Sequence, residues 1–301
     1  VSRNRPLDIS IPSRQRFERA RHQATLEKLM ARLRGQPSTL LPFEEVRERL
    51  RLSSQAYQGL RDIPLDRIVG SVGRYQDFTR SFLPLRDSMV DRWARVDDLA
   101  TREGLGPVEL YQVGEAFFVA DGHHRISVAR QANAPAIEAH VWEYPTRVPL
   151  EPEATLESVM IKAEYQEFLE RTGLDGSRPE QQILFTAPGQ YRELECQIAL
   201  YQQALGDIDQ RPFDLKEAAA YWYDLIYTPV VQIIQQGEVL GAFPGRTEAD
   251  LFVWTVRHQR ELSELFHHPV KMTRAADHLA EQGGGSRLRR ALRAIKGRLG
   301  R

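Results

Sequence analysis

The sequence predicts an α+β protein: a small mixed sheet with a helical N-terminal arm before it and a mainly helical C-terminal half after it. Three observations carry that expectation. Apolar residues between 13 and 35 recur at three- and four-residue spacing, as they do in a helix. Residues 108–142 alternate apolar and polar character in short runs broken by turns, as half-buried strands do. Beyond Pro152 nearly every segment has helical periodicity.

Phe17, Ala20, Ala24, Leu26, Leu29, Met30 and Leu33 define the first helix, which Gly35 and Pro37 end. A second helix starts after Pro42, with Glu44 and Glu45 in its first turn, and runs to about Ser53. Residues 63–69 alternate like a strand closed by Gly70, and Asp91 to Glu103 reads as a helix ended by Gly104 and Gly106. Val108 to Val113 and Ala116 to Ala120 form a hairpin about Gly114-Glu115. Asp121-Gly122-His123-His124-Arg125 breaks the run, a helix follows over 126–132, and Ala136 to Trp142 is another strand. Pro145, Pro149 and Pro152 mark a linker. Helices are then expected over 154–171, 190–205, 213–236 (interrupted by Pro229), 245–266 and 269–282, with a lone strand over 182–186. The domains are therefore an arm (1–59), a sheet-bearing module (60–149), a helical domain (150–286) and a basic tail (287–301).

Composition excludes several classes. The 301 residues are 42% hydrophobic and 27% charged, ordinary globular values that argue against disorder, collagen and coiled coil. No apolar run reaches the roughly 20 residues of a membrane helix. The opening residues lack the apolar core of a secretory signal. Cys196 is the single cysteine, which excludes an intrachain disulfide and fits a reducing cytoplasm. Net charge is zero, with 41 basic and 41 acidic residues, but the distribution is uneven. Residues 1–35 hold nine Lys/Arg against three acids, and residues 287–301 hold seven against none, leaving 25 bases and 38 acids between them. An acidic body repels phosphate backbones at long range. The basic ends could take a nucleic acid or an acidic partner, or stay solvated.

The turn at 121–125 carries the clearest chemistry. Gly122 permits a tight bend and close approach of a ligand. The first amides of the following helix are unpaired and lie at the positive end of its dipole, an anion site. Arg125 adds a donor fork, His123 and His124 add donors, and Asp121 could orient a histidine or hold Mg²⁺. The competing reading has Asp121 as a cap and the histidines packed or solvated. Nearby, Gly70, Ser71 and Gly73 could form a second ligand loop, with Arg74 as a phosphate contact and Asp77 as base or metal ligand. Arg80 and Arg86 read as surface charges.

The run Phe118 to Arg130 resembles the phosphate-binding box of the ParB/sulfiredoxin superfamily, and Ile63 to Ile68 is similar to the opening strand of ParB N-terminal domains. The Asp-Gly-His form is also similar to the free-serine kinases of that superfamily. The resemblance spans about residues 60–145. It implies a ParB/sulfiredoxin-type sheet that grips ATP, ADP or CTP by its phosphates, by analogy a homodimer, and a Mg²⁺-dependent hydrolase or phosphotransferase in which Asp121 or Asp77 places metal or water. Two alternatives stand beside it: a ParB-like DNA-associated regulator with nucleotide as a switch, and a non-catalytic scaffold. The turn lacks the cysteine of sulfiredoxins, and 150–286 shows no clear recognition helix.

A second string runs from Phe243 to Trp254. Pro244-Gly245 makes a turn, Thr247 caps a helix, and Glu248 and Asp250 suit its dipole. With Trp222, Tyr223, Tyr227 and Pro229 it resembles the C-terminal domain of an uncharacterised family fused to ParB-like modules. Arg246, Glu248 and Asp250 could reach the nucleotide site, or form a cap and a salt bridge. His267-His268 lacks a third spaced ligand for a structural zinc site.

Overall fold

The structure, a computed structural model, describes residues 10–34, 37–237 and 239–283. Arg3, Arg5 and the basic tail 287–301 lie outside the described residues. The chain divides into two compact units, Val1–Val159 and Met160–Arg301. The architecture is α+β, with one mixed sheet and helical N- and C-terminal regions.

In the first unit, helix α1 (Ile11–Arg34) precedes strand β1 (Leu41–Pro42) and helix α2 (Phe43–Arg49). Then come β2 (Ala56–Pro64), β3 (Ile68–Ser71), α3 (Val90–Glu103), β4 (Val108–Val113), β5 (Ala116–Asp121), α4 (His123–Gln131) and β6 (Ala136–Glu143). The six strands lie in the order β1-β3-β5-β4-β6-β2. The β4–β5 hairpin and the β2–β6 edge pair are antiparallel; the other neighbours are parallel. The expected single strand over 63–69 is in fact two strands separated by a 3₁₀ turn, Leu65–Arg67. That turn sets Leu65 and Ile68 three apart on the buried side, which mimics alternation in sequence.

One face of the sheet builds the core. Val108, Leu110, Phe117, Val119, Ala139 and Val141 point into it, and Ile126 from α4 and Trp93 from α3 cover them. Trp93 is fully buried, and its indole N–H donates to Ser127 Oγ at 2.8 Å, which ties α3 to α4. Burial of such a ring contributes about 2–3 kcal/mol. Outside this layer lies α1, whose Phe17 meets Trp93 edge-on at 5.8 Å. Three arginines of α1 pair with acids around α3: Arg14 with Asp91, Arg16 with Asp97 and Arg21 with Asp87. Part of the arm's positive charge is therefore spent inside the unit.

Arg80 is not the surface charge the sequence suggested. It is half-buried, its guanidinium donates to Pro152 O and Ala154 O at 3.0 and 2.8 Å, and burial lowers its pKa to about 10. It pins the proline linker, whose backbone offers the carbonyls.

The second unit holds most of α5 (Leu156–Thr172), then α6 (Leu174–Ser177), α7 (Gln190–Asp209), α8 (Leu215–Trp222), α9 (Thr228–Gln236), α10 (Val239–Ala242), α11 (Glu248–Phe266) and α12 (Met272–Gly283). Trp222, Tyr227 and Phe252 meet at its centre. The break expected at Pro229 comes earlier, as a π turn over Tyr223–Tyr227. The wider register carries the chain past a proline with no N–H to donate. Residues 182–186 form no strand. Ile183 and Phe185 are buried there, but side chains take the place of a strand partner: Tyr191 Oη donates to Ile183 O, and Ile183 N–H donates to Gln181 Oε1. Among the described residues no helix is long and apolar enough to cross a membrane.

Candidate functional site

Strand β5 ends at Asp121 and α4 starts at His123, one turn of residues earlier than the sequence suggested. Gly122 sits between them at φ +99°, and a Cβ there would lie 2.4 Å from Val108 Cγ1. Both constraints demand glycine. As N-cap, Gly122 supplies no side-chain oxygen to the helix amides. The amides of His123, His124 and Arg125 have no carbonyl one turn back, so they remain available to an anion.

These residues line a cavity of about 160 Å³. Arg74, from the loop after β3, and Arg92, from α3, border it together with Arg125. The one carboxylate at its border is Asp121. Three guanidinium groups thus face one acid. The volume is below the roughly 300 Å³ of an ordinary small-molecule pocket, so it suits phosphoryl groups rather than a whole nucleotide.

The arginines are not equivalent. Arg125 is already engaged: it donates to Asp121 Oδ2 at 2.6 Å, to Gly106 O at 3.3 Å and to Pro107 O. Arg74 and Arg92 have exposed side chains with no ion-pair partner among the described residues. Sequence reading missed Arg92. Its signal lay in position: Trp93 anchors α3 on α4, and Arg92 and Val96, four apart on the same face, border the cavity.

Both histidines are buried. His123 Nε2 lies 2.7 Å from Ser71 Oγ, and that oxygen accepts the Arg74 backbone N–H at 3.2 Å. The hydroxyl can give its proton to His123 Nε2 or accept one from it, and either pairing is open to a neutral ring. Ser71 therefore positions His123 and the Arg74 loop. His123 also stacks on Phe78, at 18° between planes. His124 meets Phe78 edge-on, and its buried Nδ1 has no hydrogen-bond partner. Burial, then the charges of Arg74 (for His123) and Arg92 (for His124), lowers both histidine pKa values to about 4. At neutral pH they are uncharged, so the positive field comes from the arginines.

The other candidates have partners of their own or serve the backbone. Gly70 is in β3, where a Cβ would fall 2.1 Å from Phe118 Cδ1, so it serves strand packing rather than a ligand loop. Gly73 takes φ +74° in the turn that presents Arg74. Asp77 pairs with Arg86 at 3.1 Å and does not border the cavity. In the second unit Asp250 completes a capping box with Thr247 and accepts from Thr186 N and Oγ1. Arg246 donates to Thr186 Oγ1 at 2.6 Å, and Glu248 accepts from Gln235 at 2.5 Å. Among the described residues no group of three His, Cys, Asp or Glu could hold a metal. The cavity's single carboxylate, held by Arg125, does not fit a protein-bound divalent cation.

No family model and no curated protein matches this chain. Among solved structures, a Pnob8-like ParB-N domain aligns with 81% of this chain and 99% of its own length, at 8% identity and a TM-score of 0.22. At that score the likeness assigns neither fold nor residues.

Proposed function

We propose that the first unit is a nucleotide-binding module that holds its ligand by the phosphates, in the cavity at the start of α4. One observation carries the reading: two unpaired arginines, Arg74 and Arg92, and the uncapped amides of α4 converge on one small polar cavity. The phosphates lie against the amides of 123–125, with Arg74 and Arg92 neutralising them; the base and ribose lie outside the cavity. Nucleotide rather than another phosphorylated ligand follows the sequence resemblance. Asp121 keeps Arg125 in place. The residues favour binding over metal-dependent turnover, since neither Asp121 nor Asp77 is a free carboxylate.

A thermal-shift screen of ATP, ADP, CTP, CDP and GTP, with and without Mg²⁺, tests the reading. At least one nucleotide should raise the melting temperature of the wild type and raise that of Arg92→Ala clearly less. No shift with any nucleotide or with inorganic triphosphate would remove the proposal.

A further inference from the structure

We infer that a second copy of this chain docks head to tail on the first unit, its α1 lying on the open half of the sheet. The inference does not depend on the phosphate site.

Helix α1 has two apolar faces. Phe17, Ala20, Ala24 and Ala31 are buried against the unit. Leu26, Leu29, Met30 and Leu33 recur at the i, i+3, i+4, i+7 spacing of a single stripe, and they are 44–75% exposed. At 100° per residue this stripe falls opposite the buried face. Arg19, Arg32 and Arg34 lie along or beside it, all exposed, with no ion-pair partner among the described residues. The acid nearest the stripe, Glu27, approaches Ser81 N at 3.4 Å.

The sheet offers the complement. Its core face is covered by α3 and α4. On the other face Phe43 of α2 packs on Tyr111 and Phe118, over the β5–β4 side. Toward the β2 edge that same face carries Leu60, Tyr57, His140 and Trp142, and Tyr57 and Leu60 are about half exposed (55 and 49%). Cross-strand register puts Asp62 beside Glu138, and Glu109 beside His140, on this face. These three carboxylates are exposed and have no ion-pair partner among the described residues. An apolar helix stripe with a basic rim thus matches an apolar, aromatic sheet face with an acidic one. A second α1 would instead set arginine against arginine, and a nucleic acid or an anionic membrane on α1 would leave the apolar sheet face, with its acidic rim, uncovered.

The two patches cannot be satisfied by one symmetric pair. Helix α1 is the outermost layer on the core side of the sheet, and the open face is on the other side. Contact between them is heterologous, so copies add in series rather than close as a dimer.

The test is sedimentation velocity of the full chain over the micromolar range. The average mass should rise with concentration beyond that of two chains, and high salt should weaken the association several-fold, because the rim charges are screened. Leu29→Glu blocks the helix and Leu60→Lys blocks the sheet face. Each variant alone should stay a single chain, while an equimolar mixture should give a one-to-one pair and nothing larger. Wild type that remains a single chain at every concentration overturns the inference, whatever the variants do. So does Leu60→Lys protein that associates as well as wild type, which would mean α1 pairs with α1. A mixture that does not pair, with both variants showing wild-type circular dichroism, also overturns it.

Discussion

Two turns in this chain look alike in sequence and behave differently in space. Asp121-Gly122-His123-His124-Arg125 and Gly245-Arg246-Thr247-Glu248 each bring a glycine, an arginine and polar side chains to a helix start. Before α11 the helix is closed. Thr247 Oγ1 accepts the Asp250 N–H, Asp250 accepts the Thr247 N–H, and Arg246 donates to Thr186 beside them. Before α4 no side chain caps the helix, and the amides open into a cavity with unpaired arginines. Polar residues at a helix start make a candidate site only where they leave the amides unmet.

The sharpest way to break this contrast is to remove the arginines that border the α4 cavity and, separately, the arginine of the α11 turn. A charge-assisted contact to phosphate contributes about 2 kcal/mol, roughly 30-fold in affinity. Arg74→Ala and Arg92→Ala should each weaken nucleotide by about that factor, and the double variant should show no thermal shift at all. Arg246→Ala should bind as wild type. Calorimetric titration of the four variants decides it; loss of binding in Arg246→Ala would end the distinction.

The next effect is in pH. The histidine pKa values near 4 lie below the ordinary value of 6.5. Between those values the unfolded chain binds protons that the folded chain does not, so stability rises with pH. The contribution is fully present above pH 6.5 and is lost as pH falls toward 4, of the order of 3 kcal/mol per histidine. Urea melts from pH 7 to 4 should show this slope, and His123→Asn with His124→Asn should flatten it. An equal slope in the double variant would mean that other groups carry the acid sensitivity.

The α4 turn was legible because strand, glycine and helix follow within a few residues, and local order is what sequence records. The hairpin and α3 were legible for the same reason. Arg92 was not: it reaches the cavity only because Trp93 and Ser127 tie two helices far apart in sequence. The engagement of Arg125 by Pro107 and Asp121 was hidden for a like cause, since half of it depends on where β4 begins. Most of strand β2, residues 56–62, was hidden because an exposed edge strand lacks apolar alternation, and only Ile63 in it is buried.

Gly122→Ala probes the backbone of the turn. Its φ of +99° and the 2.4 Å approach to Val108 Cγ1 both oppose a methyl group. The cost should be about 2–4 kcal/mol, read as a lower urea midpoint with an unchanged slope. Gly245→Ala has strained φ (+79°) but open space around it, and should lose less, about 1 kcal/mol. Equal losses would show that Val108 yields and that strain alone sets the cost.

The smallest effects return to the two helix starts. Thr247→Ala removes one half of a capping box and should cost about 1 kcal/mol without touching nucleotide affinity. Asp121→Asn removes a carboxylate that is 60% exposed, so its effect on stability should stay within about 0.5 kcal/mol. Its effect on binding should have the opposite sign from that of the arginine variants. Without the carboxylate the cavity loses its one negative charge, and Arg125 is freed to turn toward a phosphate. Affinity should therefore rise a few-fold in Asp121→Asn. A fall would assign the carboxylate to the ligand itself, through its ribose or a cation, and would make the α4 turn a catalytic candidate rather than an anion cradle.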